Sequence, residues 1–313
     1  MKSLLIGGAG FIGSNLAHRL GDDVTVVDCL LTGSKHNVPD GAAFLEGDAC
    51  TRLAELPDDF DAIFHFGGAS SAPLFDERPR FATEAVDLFQ HVLDKARACD
   101  APVAFASTSS MYSGCPKPYR EDMAVVPTTL YEFSKLSMEH LARAYSARYG
   151  LDITAFRFFS VYGPREQGKQ RFANIVSQFL WCLRAGIPPL VYGDGSQTRD
   201  FTHVDNLLDA IQLAYPQTEG FEVYNIGTGI EHTFNQVLDK LRDATGIELD
   251  AAYMDNPIPN YVQETQADFS KLAALGWQPT TSLDAGIEQL VGRNEDLRPE
   301  TLDAMRKAHA VPA

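Results

Sequence analysis

Ser3-Leu4-Leu5-Ile6-Gly7-Gly8-Ala9-Gly10-Phe11-Ile12-Gly13 opens the chain with a short apolar strand that runs straight into a glycine-rich turn. Only glycine lets a backbone turn this tightly and still touch a pyrophosphate. Gly7 takes the turn, Gly10 leaves room for phosphates, and Gly13 lets the following helix pack close to the strand. The pattern predicts a helix over Phe11–Leu20 whose N-terminus, including Phe11 and Ile12, faces the anion with free N–H groups and a positive dipole end. A second strand, Val24–Val27, leads to Asp28, at the distance where an acid receives the adenosine ribose. Its carboxylate would repel a 2′-phosphate, and Cys29-Leu30-Leu31-Thr32-Gly33 carries no Arg or Lys to hold one. The expected cofactor is NAD rather than NADP.

Outward from that turn, the composition sets bounds. A chain of 313 residues with 45% hydrophobic content buries a large core, enough for two joined domains or one large α/β unit. A net charge of −16 argues against nucleic acid as a partner, because such proteins need a basic surface. The acidity fits either a salt-adapted surface dense in carboxylates or simple acidic drift. No apolar run reaches membrane length, and Met1-Lys2 leads directly into the first strand without a signal-peptide pattern. Cys29, Cys50, Cys99, Cys115 and Cys182 are scattered and odd in number, which fits a reducing cytoplasm and gives no support to a metal site.

Further strand-like runs are Ala42–Leu45, Asp61–Phe66, Pro102–Ala106 and Ile153–Phe158, with helical patterns clearest at Arg80–Ala98 and Leu130–Tyr149. Short apolar strands separated by helices imply a mostly parallel sheet buried on both faces. The right-handed crossover rule makes it an α/β doubly wound Rossmann sheet, with the ligand crevice at the carboxyl ends of the strands. The expected division is a NAD-binding domain over 1–159, with part of 195–220 returning to it, and a smaller α/β substrate-binding domain over 160–313. The polar stretch from Glu295 to Ala313 reads as a helix or a frayed tail.

Tyr131-Glu132-Phe133-Ser134-Lys135 starts the predicted helix 130–149, and its (i, i+4) spacing puts Tyr131 and Lys135 on one face. A tyrosine pKa near ~10 is too high for a general base near neutrality. A neighbouring ammonium and a positively charged nicotinamide would lower it, and the same ammonium can hold ribose hydroxyls. Strand 102–106 runs into Ser107-Thr108-Ser109-Ser110, whose hydroxyls at a strand end would point into the crevice and pass a hydrogen bond between Tyr131 and a substrate hydroxyl.

Together these residues resemble the extended short-chain dehydrogenase/reductase superfamily, in particular its NAD-dependent nucleotide-sugar epimerases and dehydratases. The resemblance spans nearly the whole chain. Gly47-Asp48, followed by Ala49, looks like the family's adenine contact, and Phe64-His65-Phe66-Gly67-Gly68-Ala69 like the strand end beneath the cofactor. Arg157 to Pro164, Tyr192 to Asp205, Tyr224 to Gly227 and Leu275 to Pro279 match further family segments. Residue-by-residue alignment puts Thr108 at the catalytic Ser/Thr position beside Tyr131 and Lys135. Sugar 4,6-dehydratases have Asp-Glu at the next two positions; Ser109-Ser110 here cannot supply that acid and base, which favours epimerisation.

Arg199 resembles the arginine that grips the nucleotide diphosphate, a role suited to a guanidinium. Three positions depart from the pattern: Ser160 stands for an Asn that contacts the diphosphate-sugar, Asn256-Pro257 for an Arg-Pro, and Ala85 for an Asn on the cofactor side. Arg165 or Arg171 could supply the missing phosphate contact. The substrate set implied is Thr108, Ser109, Ser160 and Arg199. The activity implied is epimerisation of a UDP-sugar at C4, UDP-glucose and UDP-galactose by default, with oxidation to a 4-keto sugar and reduction from its other face. Other nucleotide-sugar enzymes (a uronic-acid epimerase, a decarboxylase, a 4,6-dehydratase), a net dehydrogenase or reductase, and a non-enzymatic NAD sensor are the alternatives. The family commonly forms homodimers through helices equivalent to 80–98 and 130–149.

Overall fold

In the computed structural model, which describes residues 1–21, 23–256 and 261–310, strands and helices alternate through the first half of the chain. The strands are β1 (Ser3–Ile6), β2 (Val24–Asp28), β3 (Ala43–Glu46), β4 (Ala62–His65), β5 (Val103–Thr108) and β6 (Ile153–Phe158). Between them lie α1 (Phe11–Leu20), α2 (Ala49–Arg52), α3 (Ala72–Glu77), α4 (Phe81–Cys99) and α5 (Leu130–Tyr149). The strand boundaries fall within a residue or two of those expected.

The second half contributes short strands β7 (Val161–Tyr162), β8 (Leu190–Tyr192), β9 (Thr198–Asp200), β10 (Thr202–His203), β12 (Glu231–Thr233) and β13 (Ala252–Met254), paired two by two. Between β10 and β12 lies β11 (Phe221–Ile226). The helices of this half are α6 (Ile175–Ala185), α7 (Val204–Ala214), α8 (Phe234–Thr245), α9 (Ser270–Ala273), α10 (Leu283–Arg293) and α11 (Pro299–Ala308). The polar stretch after residue 295 therefore holds a helix, as one of the two expected outcomes.

The central sheet runs β11-β6-β5-β4-β1-β2-β3, and every neighbouring pair in it is parallel. Alternate residues of each strand feed opposite layers. Leu4, Ile6, Val103, Phe105 and Ile153 pack under α4 and α5 with Phe89, Leu93 and Met138. Leu5, Val26, Phe64 and Phe156 pack under α1 and α7 with Leu16, Leu207 and Ile211. Two buried faces explain why the strands read as continuous apolar runs rather than alternating ones. A third core joins α6, α8 and α10 through Phe179, Leu183, Val237, Leu241 and Ile287. Strand order reverses between β1 and β4, so the crevice for a ligand opens at the carboxyl ends of those two strands.

Candidate active site

At that reversal two backbones touch. Gly7 has φ +81°, and a Cβ on it would lie 2.4 Å from the Gly67 Cα at the end of β4. A Cβ on Gly13 would lie 2.2 Å from the Gly7 carbonyl oxygen. Gly7 and Gly13 are therefore fixed by protein packing, whereas the nearest atom to a Cβ on Gly10 is the Gly7 oxygen at 3.2 Å, and Gly10 lines an open cavity. This cavity, of about 460 Å³, is walled by Gly7, Gly10, Asp28, Asp48, Ala49 and Gly68 among others, and Ala85 also reaches it. Asp28 lies at its edge with Oδ2 accepting the Ala9 N–H at 2.9 Å and Oδ1 the Leu30 N–H at 2.7 Å. Burial pushes its carboxyl above the usual range, and those backbone donors oppose the shift. Asp48 caps α2 by accepting the Cys50 N–H at 3.1 Å.

Phe66, Gly67, Gly68 and Ala69 also wall a second cavity of about 380 Å³, which holds Phe11, Ile12, Thr108, Ser109, Tyr131, Lys135, Ser160 and Arg199. The two cavities thus form one trough over the strand ends. The fit to NAD is good: a close-packed glycine turn at one helix N-terminus, an acid at the end of β2, and, as the cation lining the first cavity, Arg78, which is paired with Glu84 at 2.8 Å.

Tyr131 reaches this trough because a capping box fixes where α5 begins. Thr129 Oγ1 accepts the Glu132 N–H at 3.2 Å, while Glu132 Oε2 accepts the Thr129 and Thr128 N–H groups at 3.3 and 2.7 Å. Tyr131 then lies in the first helical turn, with its ring against Phe75 and its hydroxyl bonded to Thr108. Thr108 Oγ1 also accepts the Ser110 N–H at 3.2 Å, fixing the turn that follows β5.

Lys135 is buried one turn on, and its Nζ donates to the Ala106 carbonyl at 3.0 Å. Burial pushes its ammonium down to about 8. Burial also pushes Tyr131 up, with the Thr108 hydrogen bond opposing. Lys135 lies 6.0 Å from the Tyr131 ring centroid and gives one of its three N–H donors to Ala106, and in the protein on its own burial outweighs its charge at Tyr131; the expected lowering involves the positively charged nicotinamide as well.

Ser160 adopts φ +35° and borders both the Tyr131 cavity and an adjoining one of about 440 Å³. Arg199 lies at the same junction, stacked over Tyr261 at 5.1 Å and Phe234 at 5.5 Å. Burial lowers its pKa, and among the described residues no carboxylate pairs with it. Arg171 also lines that adjoining cavity but is paired with Glu77. Arg165 turns away, donating to Asn15 Oδ1 at 2.7 Å. Asn256 borders the undescribed segment, and Pro257 lies outside the described residues. Lys169, Val262 and Thr265 complete the Tyr131 cavity. The sequence reading missed these three, since nothing in their spacing ties them to the strand ends.

No helix among the described residues is long and apolar enough to cross a membrane. Residues 3–227 match the model of the NAD dependent epimerase/dehydratase family. The chain is 31% identical over 309 residues to the UDP-glucose 4-epimerase of Mycolicibacterium smegmatis, covering 93% of this chain and 97% of that one. Its fold matches the UDP-glucose 4-epimerase of Thermotoga maritima, solved with UDP-glucose, at TM-score 0.86 and 30% identity over 93% of this chain and 98% of that one. The UDP-glucuronic acid 4-epimerase of Bacillus cereus, solved with UDP-glucuronic acid and NAD, matches at TM-score 0.83 and 26% identity over 98% and 99%. With that family match and the glycine-bounded trough behind it, the chain belongs to the NAD dependent epimerase/dehydratase family, among its NAD-using nucleotide-sugar epimerases.

Proposed function

We propose that this protein inverts C4 of a UDP-sugar, UDP-glucose and UDP-galactose being the first pair to test. One observation carries the reading. Tyr131, its partner Thr108 and Lys135 share a cavity that opens at one end onto the glycine-walled trough and at the other onto Arg199, a cation without a carboxylate. A guanidinium left without an acid in a half-buried junction suits a diphosphate, which offers several oxygens to its fixed fork of donors.

In this reading Gly7, Gly10, Phe11, Ile12 and Gly13 hold the pyrophosphate, Asp28 the adenosine ribose, Asp48 and Ala49 the adenine, and Phe66, Gly67 and Gly68 the floor of the cofactor site. NAD, when bound, supplies the two-electron oxidant and a positive ring that favours the phenolate. Thr108 bridges the sugar hydroxyl to Tyr131, whose Oη takes the C4 hydroxyl proton and gives it back after the sugar has turned. Lys135 holds the nicotinamide ribose and adds a positive charge near Tyr131. Ser109 and Ser160 orient the sugar, and Arg199 keeps the diphosphate anchored while the sugar turns. The glycine-turn half, 1–159, would serve the cofactor and 160–313 mainly the substrate. Exposed Phe133 and Tyr149 on α5 support a homodimer through α4 and α5, which a solution mass of one chain would contradict.

A second reading, a UDP-uronic acid 4-epimerase, is supported by Lys169, which lines the hydroxyl-rich cavity of Tyr131 and, although its Nζ is paired with Glu166 at 3.0 Å, has further N–H donors for a sugar carboxylate. Purified protein incubated with UDP-, dTDP- and GDP-sugars, UDP-glucuronic acid included, and without added NAD separates the readings by product chromatography. Interconversion of UDP-glucose and UDP-galactose supports the first. Turnover of UDP-glucuronic acid alone supports the second. A stoichiometric rise in nicotinamide absorbance, with no epimer formed, would overturn both.

A further inference from the structure

Three consecutive residues at the end of β5 are each tied to a different turn of α5. The Ala106 carbonyl accepts from Lys135 Nζ at 3.0 Å, Ser107 Oγ donates to Glu139 Oε1 at 2.5 Å, and the Thr108 hydroxyl meets Tyr131. Residues 131, 135 and 139 follow one another at four-residue spacing, so a single helical stripe is stitched to a single strand end. Two of the stitches belong to the proposed chemistry. The third, at Glu139, does not.

Glu139 is only 4% exposed. A carboxylate in such a place is costly unless paired and fully hydrogen-bonded. Its partner is Arg157 on the adjacent strand β6, whose Nε donates to Oε1 at 3.0 Å and Nη2 to Oε2 at 2.7 Å. Arg157 Nη1 donates to the Tyr112 hydroxyl at 2.7 Å, which in turn donates to Asn225 Oδ1 on β11 at 2.8 Å. This chain of bonds crosses from α5 over β6 to β11. Its branch at Ser107 lies one residue before Thr108.

We infer that Glu139 and Arg157 are positioning residues for the reaction at Tyr131, acting through Ser107 to fix the height and rotation of α5 against β5. The inference rests on reading Tyr131 as the base. Apolar contacts from Met138 and Ala142 also hold α5 to the sheet, but they are non-directional and tolerate sliding. Two parallel N–H···O bonds fix both distance and orientation, which a lysine at 157 could not do. The pair is also electrically neutral, so removing Arg157 strands the Glu139 carboxylate one turn from Lys135 and two from Tyr131, and removing Glu139 strands the Arg157 guanidinium on β6 beside the same stripe. The other ionisable groups around this stripe are Glu132 on the same helix, His65 on β4 (held neutral by burial), Lys169 across the cavity, and, on the Arg157 side, Tyr112, Glu121 before α5 and Lys271 beyond it. Changing Glu139 touches none of these directly, whereas changing Arg157 also removes a donor to Tyr112 and to the Glu121 carbonyl.

The test uses the full chain and two readouts: turnover of UDP-glucose, and the Tyr131 phenolate titration taken as the absorbance difference between each variant and the same variant carrying Tyr131→Phe. Glu139→Gln should lower kcat about tenfold with KM within about twofold. It should also move the phenolate midpoint down by roughly half a unit to one unit, whereas Arg157→Met should move it up by a similar amount. Arg157→Lys keeps the charge, so kcat should fall while the midpoint stays near that of the native protein. Ser107→Ala leaves the ion pair intact and should cost about threefold in kcat, with the melting temperature lowered by only a few degrees. Native-like kcat in folded Ser107→Ala and Glu139→Gln, together with an unmoved midpoint, would overturn the inference. If no UDP-sugar is turned over, the substrate reading fails, and the phenolate midpoints alone still decide this one.

Discussion

Replacing Gly13 by alanine separates two effects that usually travel together. Gly13 lies inside α1 with ordinary helical backbone, so alanine gains about 1 kcal/mol in helix propensity. Against this, the new Cβ would lie 2.2 Å from the Gly7 carbonyl oxygen and 2.8 Å from the Gly8 Cα. Both neighbours are backbone atoms of the turn itself, so no side chain can swing aside. To reach an ordinary contact the helix must retreat by about 1 Å, an overpacking cost of about 3 kcal/mol. The net loss is about 2 kcal/mol, or roughly 3 °C in melting temperature for a chain of this size. The same retreat draws the N–H groups at the start of α1 away from the pyrophosphate, so NAD affinity should fall by about tenfold or more. Gly292 in α10 is the control: it is exposed and a Cβ there meets nothing within 4 Å. Gly292→Ala should raise stability by about 0.5–1 kcal/mol and leave NAD binding alone. Calorimetric melting and NAD titration of both variants check this. A Gly13→Ala protein that melts at or above the native temperature and binds NAD normally would refute the packing account of the turn.

Tyr131→Phe should abolish epimer formation while leaving NAD binding within about twofold, as read by product chromatography and NAD titration. Arg199→Met should weaken UDP binding by about 30- to 100-fold, measured by calorimetry, with NAD affinity unchanged. Lys135 carries a depressed pKa, about 8 against an ordinary 10.5, so below pH 8 its forced charge destabilises the folded state. Between pH 8 and 10.5 the unfolded chain keeps a proton that the folded one has released, and stability therefore rises with pH across that window. Lys135→Met should stabilise the protein by up to about 3 kcal/mol at pH 7, lose this advantage above pH ~10.5, and be inactive. Chemical denaturation of both proteins across that range measures it.

The sheet, the glycine turn and the gathering of Thr108, Tyr131 and Lys135 in one cavity were legible because each rests on local rules. β1 and β2 are buried on both faces and read as plain apolar runs, and the α5 capping box sits in the sequence as Thr129-x-x-Glu132. What was not legible depends on contacts between distant segments. Gly67 looked like part of a strand end, yet it is the surface against which Gly7 packs. Helical spacing says that Tyr131 and Lys135 share a face but not that the lysine is tied to the Ala106 carbonyl, a contact set by how α5 packs on β5. The Glu139–Arg157 pair joins residues 18 apart on different elements, and no pattern along the chain links them. Lys169 reaches the cavity from a short 3-10 helix (Gln167–Phe172) and Val262 from a loop, and only tertiary packing sets the course of either.

β11 has a consequence for how this protein can be made. Its residues 221–226 pair along the full length of β6, residues 153–158, closing that side of the sheet with a segment synthesised more than sixty residues later. Until then the nascent chain presents the whole length of β6 as an open edge, flanked by apolar side chains such as Ala155 and Phe156. A fragment cut at residue 159 would carry that open edge permanently and should aggregate. One cut after residue 227 would keep the sheet whole. Translation through the second half is therefore the period in which this protein most needs protection from its own copies.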